Sequence, residues 1–207
     1  ADIIFQPEQA FPTALAASAN STGSETEIYA VTAVNIETGE ESLRATATGL
    51  TITGATRANP VVITTSGAHG LTNLDLVYIS GVSGMTQING LTFKVSNKAS
   101  TTFELQDYNR TNVDGTGYTS YSSGGSAFPM YVKLTNSHAT RDNTITWTAA
   151  ADAESYNVYH YKDGLFGFIG RSEIDSFTEE PQPFRRDFGQ AVCCRLPPAA
   201  TLIRQQC

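Results

Sequence analysis

Three histidines, His69, His138 and His160, are the residues best suited to general acid–base work, because imidazole titrates near neutral pH. Nucleophilic catalysis would also need a nucleophile and a third group to orient the base. No G-x-S-x-G elbow accompanies any of the three. His69 sits in the turn Gly67-Ala68-His69-Gly70, where an imidazole commonly bonds backbone groups. His138 falls in a polar loop. His160 follows Tyr156 and Val158 at a spacing of two, which puts it on the inward face of a strand. No histidine is expected to reach both a carboxylate and a Ser or Cys.

Metal and phosphate chemistry are equally poorly served. The adjacent Cys193-Cys194 cannot form the chelate of a Cys-x-x-Cys pair, and no two histidines stand at ligand spacing. Asp107-x-Asn109-x-Thr111, followed by Asp114-Gly115, partly follows a calcium loop. Its sixth position is Asn112 rather than Gly and its twelfth is Tyr118 rather than Glu, so a polar turn is preferred. Gly164-x-x-Gly167-x-x-Gly170 lies in a hairpin, away from any helix N-terminus that could cradle a phosphate. The sequons Asn20-Ser21-Thr22 and Asn109-Arg110-Thr111 are read as accidental without a secretory context. Neighbouring carboxylates, Glu40-Glu41 and Glu179-Glu180, point to opposite faces of an extended chain and are read as solvated edges. The expectation is a chain with no catalytic residues, no metal and no cofactor.

Binding chemistry leaves one candidate. Tyr108, Tyr118 and Tyr121 cluster in a polar, Gly-rich stretch, and exposed tyrosines in loops suit protein or carbohydrate contact. The plainer reading, that they cap the core of a small barrel, is preferred.

These side chains must be carried by strands. Charged residues make up only 16% of the 207, against about a quarter in ordinary globular chains. Thr, Ser, Gly and Asn fill the gap, and they belong to strands and turns rather than to surface helices. Short apolar–polar alternations bounded by turn residues dominate, the pattern of sandwiches and barrels. Residues 14–19 could make one helical turn or an edge strand. In Glu27 to Asn35, residues Tyr29, Val31 and Ala33 share one face, and Glu41 to Thr48 can return beside them.

Further strands are expected at Val61–Thr65, Leu76–Ser80, Leu91–Val95 and Thr101–Leu105. A hairpin is expected at Gln87-Ile88-Asn89-Gly90, since Asn-Gly tolerates positive φ. Ser122 to Ser126 reads as a linker. Tyr131–Leu134, Asn143–Thr148, Ser155–Tyr161 and Leu165–Gly170 follow, with a turn at Asp163-Gly164. The only tryptophan, Trp147, lies on one of these strands and is read as a core plug.

The net charge of −7 repels phosphate backbones and argues against nucleic acid as a partner. No segment approaches the ~20 apolar residues needed to cross a bilayer as a helix, so no membrane partner is expected. The opening ADIIFQPEQAFP lacks a positive n-region and does not read as a signal peptide. All three cysteines lie in the last fifteen residues, so the rest of the chain suits a reducing or indifferent compartment. No bridge between Cys193 and Cys194 is expected. Residues 181–207 have no period and are read as an irregular tail.

Two stretches resemble known families. Residues 144–170, with Trp147 and Tyr156-x-Val158-x-His160, resemble the B, C and C′ strands of a fibronectin type III domain. Residues 27–42 resemble that family's F–G hairpin, with Tyr29 at its corner-tyrosine position. The F–G-like piece comes first, so the chain holds either the end of one sandwich and the start of another or one sandwich interrupted by an insert. The second is preferred, because two half-sandwiches would each expose a core face. The insert, residues 58–125, carries Gly67-Ala68-His69-Gly70-Leu71, Leu76-Val77-Tyr78-Ile79, Gly84-Met85-Thr86, Asn89-Gly90 and Thr102-Phe103-Glu104-Leu105. It resembles a small β module of bacteriophage tail proteins, which is itself similar to a β-barrel domain of ubiquitin-activating enzymes. Where that module often has Gly-Asp, this chain has Leu74-Asp75, so that turn is expected to differ.

The resemblance implies an all-β fold: a fibronectin III/Ig-like β-sandwich (residues 1–50 and 130–180) with an inserted small β-barrel-like domain (51–129). It further implies a fragment of a phage or prophage tail nozzle or tail tubular protein. Such a piece acts without chemistry, in a virion or a bacterial cytoplasm, through contacts with other tail proteins or with itself. The alternative is a β module that binds cell-surface glycans or a receptor.

Overall fold

The structure is a computed structural model that describes residues 9–20, 22–35, 37–137 and 142–179. His138, Ser21 of the first sequon, Glu180 and the tail with its three cysteines lie outside the described residues.

The fold is all-β, with a closed barrel and two further sheets. Strands β1 (Thr13–Ala19), β2 (Glu25–Val34) and β3 (Glu41–Arg44) precede the barrel. The barrel strands are β4 (Leu50–Ala55), β5 (Val62–Thr65), β6 (Leu76–Ser80), β7 (Leu91–Ser96), β8 (Thr102–Gln106) and β9 (Ser126–Pro129). After it come β10 (Val132–Ser137), β11 (Asn143–Thr148), β12 (Ser155–Lys162), β13 (Leu165–Ser172) and β14 (Ser176–Thr178). Residues 14–19 are therefore strand.

One sheet runs β1-β11-β14 and the other β10-β2-β12-β13, with β3 also on β2. Both are antiparallel. They share one core: Leu15, Ile145 and Trp147 from the first sheet meet Tyr29, Val31, Ala33, Tyr156 and Val158 from the second. This is the period-two prediction realised on β2, β11 and β12. The F-like β2 lies beside the C-like β12, pairing Val31 with Val158. On its other edge β2 pairs with β3 at one end and β10 at the other, and the chain between those two strands forms the barrel. The chain leaves and re-enters side by side, with Ala47 N–H donating to Pro129 C=O at 2.8 Å.

Tyr29 departs from the corner-tyrosine pattern. Its hydroxyl donates to Glu179 Oε2 at 2.6 Å and accepts from Asn143 Nδ2 at 2.8 Å. It ties the two sheets together through side chains, where the pattern would bond a nearby backbone group. Burial, reinforced by the bond to Glu179, pushes its acidity far below that of a free phenol. Beside it the buried His160 Nε2 makes a short contact with Glu27 Oε2. Glu179 is thus no solvated edge: its N–H donates to Asn143 C=O, which turns the carboxylate in under Tyr29.

The barrel closes in the order β4-β5-β8-β7-β6-β9. Alternate residues, Ile63, Val77, Ile79, Val95, Phe103 and Leu105, fill it. The stretch expected to be a linker ends in β9, the strand that pairs with both β4 and β6 and closes the barrel. β9 is only four residues long, and the alternation of β4 breaks at Gly54-Ala55.

The Asn89-Gly90 hairpin is also corrected. Residues 86–88 form a 3₁₀ turn, and β6 pairs with β7 across the whole 81–90 loop. The Asn89 amide bonds both the N–H and the C=O of Val82, at 2.9 and 2.8 Å, as a strand partner would. The longer loop drops Met85 and Ile88 into the barrel core, which a two-residue turn could not do. By contrast, Asp163-Gly164 is a two-residue hairpin with both residues at positive φ. The Leu74-Asp75 turn keeps a glycine-like shape, with Leu74 at φ +77°. Asp75 accepts from the Thr72 N–H and hydroxyl and locks it.

Candidate functional site: the cleft between sheet and barrel

The outward face of the five-stranded sheet looks onto the barrel. Thr32 of β2, Arg44 of β3, Tyr159 and Tyr161 of β12 and Phe166 of β13 point that way, since their neighbours Val31, Val158 and His160 are buried. Across from them stand Leu76, Thr92, Lys94 and Tyr108 of the barrel. Two adjoining cavities result, of about 420 and 330 Å³, and both are lined by Arg44, Leu76, Tyr108 and Phe166. Those volumes lie at the lower end of small-ligand sites.

At the first cavity's rim, Glu41 Oε1 accepts from three donors. They are the Thr32 hydroxyl, the Tyr159 hydroxyl at 2.5 Å and Asn157 Nδ2 at 3.1 Å. Arg171 holds Asn157 in turn, at 3.1 Å. Burial pushes the Glu41 carboxyl up, but these three bonds and the Arg171 charge outweigh it and hold it below the ordinary range. Burial and Glu41 push the Tyr159 phenol up. Glu41 is therefore a fixed anion held through Oε1, ill-suited to accept a proton at neutral pH.

A depressed folded-state pKa stabilises the fold above the unfolded value, and that stabilisation fades as pH falls through the folded value. The stability difference between wild type and Glu41→Gln should stay level from about pH 7 to about pH 5 and shrink below about pH 4. Urea unfolding across that range measures it, and a gap unchanged down to about pH 3 would contradict it.

Arg44 sits over Phe166, its guanidinium carbon 4.3 Å from the ring centre. Burial lowers its pKa, and the nearby Tyr108 and Tyr159 partly offset this. Lys94 Nζ donates to the Tyr108 carbonyl at 2.6 Å and sits 4.3 Å over the Tyr108 ring. On the same wall Asp75 accepts from the Tyr131 hydroxyl and the Thr72 N–H, each at 2.6 Å.

The structure separates the three candidate tyrosines. Tyr118 and Tyr121 pack against the barrel core, and the Tyr121 hydroxyl donates to the carbonyls of Ile52 and Gly124. Tyr108 is 74% exposed and belongs to the cleft. His69 accepts from the Leu71 N–H at Nδ1, so Nε2 carries the proton and donates to Thr102 C=O at 3.2 Å. Asp107 and Asp114 bond the amides of Thr111 and Thr116, as polar turns do. Among the described residues no group of His, Cys, Asp and Glu could hold a metal, and no helix is long and apolar enough to cross a membrane.

Arg44, Lys94 and Phe166 escaped the sequence reading. Each is a single residue on its own strand, and only the strand register and the placement of the barrel bring them together.

Residues 58–129, roughly a third of the chain, match the ubiquitin-activating enzyme E1 FCCH domain. The match covers β5 to β9 of the barrel. No curated protein matches the chain.

Proposed function

We propose that the chain is a non-enzymatic assembly module of a phage or prophage tail, at work in a virion or in the cytoplasm of the cell that makes it. In this reading a sandwich interrupted by a barrel presents rigid surfaces to neighbouring subunits. The resemblance of residues 58–125 to a tail-protein module motivates the biological setting.

The observation that carries the contact role is the edge strand β13. It pairs only with β12, leaving its other edge open among the described residues. Natural edges are usually defended by charge, proline or bulges. Here the segment Leu165-Phe166-Gly167-Phe168 has none of these; the register shift and Arg171 come after it. Leu165 is 76% exposed and Phe168 59%, with Ile174 nearby in sequence also exposed. An open strand edge flanked by apolar side chains invites strand addition by another chain.

Sedimentation of wild type and Phe168→Lys tests this. The wild type should associate with itself or with tail proteins, and Phe168→Lys should weaken that at least tenfold. A wild type that stays monomeric at its highest soluble concentration and binds no tail protein would remove the proposal's support.

A further inference from the structure

We propose that the cleft between the five-stranded sheet and the barrel binds a small carboxylate-bearing ring compound, of the kind an acidic sugar residue presents. The inference stands apart from the assembly reading.

It rests on two cations without anionic partners. The Arg44 guanidinium offers five N–H donors in a planar fork. Among the described residues none of them meets an acceptor; the group only lies against Phe166. Among the same residues Lys94 has a backbone carbonyl and a ring, and no carboxylate. The acids lining the cleft are engaged elsewhere, Asp75 with Thr72 and Tyr131 and Glu41 with Thr32, Asn157 and Tyr159. Part-burying a guanidinium without an acceptor costs free energy. A chain of net charge −7 with carboxylates to spare has nonetheless left this one facing a cavity.

A ligand carboxylate fits the fork with two parallel hydrogen bonds. The adjoining walls are aromatic and apolar side chains, Tyr108, Tyr161, Phe166 and Leu76, which suit the C–H groups of a sugar ring. Of the three tyrosines singled out in the sequence, Tyr108 alone lines this cleft.

Calorimetric titration of the whole chain with D-glucuronate tests the proposal, with D-glucose and acetate as partial ligands. Glucuronate should bind saturably, and glucose and acetate at least tenfold more weakly, since one lacks the carboxylate and the other the ring. Arg44→Gln should weaken glucuronate at least tenfold, and Arg44→Lys should fall between. If Arg44→Gln fails to fold, Lys94→Gln carries the test, with a several-fold loss expected. No binding by wild type, equal binding by the Arg44 or Lys94 variants, or acetate binding as well as glucuronate would each overturn the proposal.

Discussion

Replacing Trp147 with alanine should destabilise the sandwich by about 3–5 kcal/mol, the range for emptying a large aromatic site. Trp147 lies on β11, the middle strand of its sheet, and its ring centre is 5.1 Å from that of Tyr156 on the opposite sheet. It is almost wholly buried among Leu15, Tyr29, Val31 and Ile145. Alanine leaves a void that two sheets fixed by their own hydrogen bonds cannot close. Trp147→Phe should cost far less, about 1–2 kcal/mol. Among the described residues the indole N–H has no hydrogen-bond partner, so phenylalanine sacrifices only volume. Circular dichroism in urea is the suitable readout, because Trp147 is the chain's only tryptophan and fluorescence would vanish with it. A loss below about 1 kcal/mol for alanine would contradict the shared core.

Gly84→Ala should be comparably severe in the barrel, at about 2–5 kcal/mol. Gly84 has φ +84°, where an L side chain costs about 1–2 kcal/mol. Its added Cβ would stand 2.1 Å from the Ser120 carbonyl oxygen and 2.8 Å from the Ser122 nitrogen. Both are backbone atoms and cannot swing aside, which adds the cost of overpacking, about 1–3 kcal/mol. Nor can the loop retreat, because Ser83 exchanges two hydrogen bonds with residues 122 and 123. Gly90→Ala is the control. It too has positive φ, but nothing lies within 4 Å of its Cβ, so only the conformational cost of about 1–2 kcal/mol applies. Equal losses at the two positions would contradict the close approach.

The strands legible in sequence were those with a clean period of two and a buried face. Leu76–Ser80 and Asn143–Thr148 form where the alternation places them, and Trp147 and Ile145 point inward together. Strands recruited by closure were not legible. Leu50–Ala55 and Ser126–Pro129 pair only because the barrel must complete its circle, and Ser176–Thr178 is three residues long. Local turn chemistry misled at Asn89, whose side chain serves the loop, and at Leu74, where tertiary context holds a leucine in a glycine's conformation. Carboxylates were the hardest to place. Glu41 and Glu179 look like surface charges, yet their partners, Tyr159 and Tyr29, are more than a hundred residues away. The cleft's cations share that difficulty.

Hydrogen exchange along β13 tests the assembly account most directly. If neighbours add to this strand, the outward-facing amides of Leu165–Ser172 must exchange fast in dilute protein and become protected as concentration rises or a partner tail protein is added. The inward-facing amides, already bonded to β12, should stay protected throughout. Outward amides that exchange equally fast at every concentration and with every tail protein tested would contradict it.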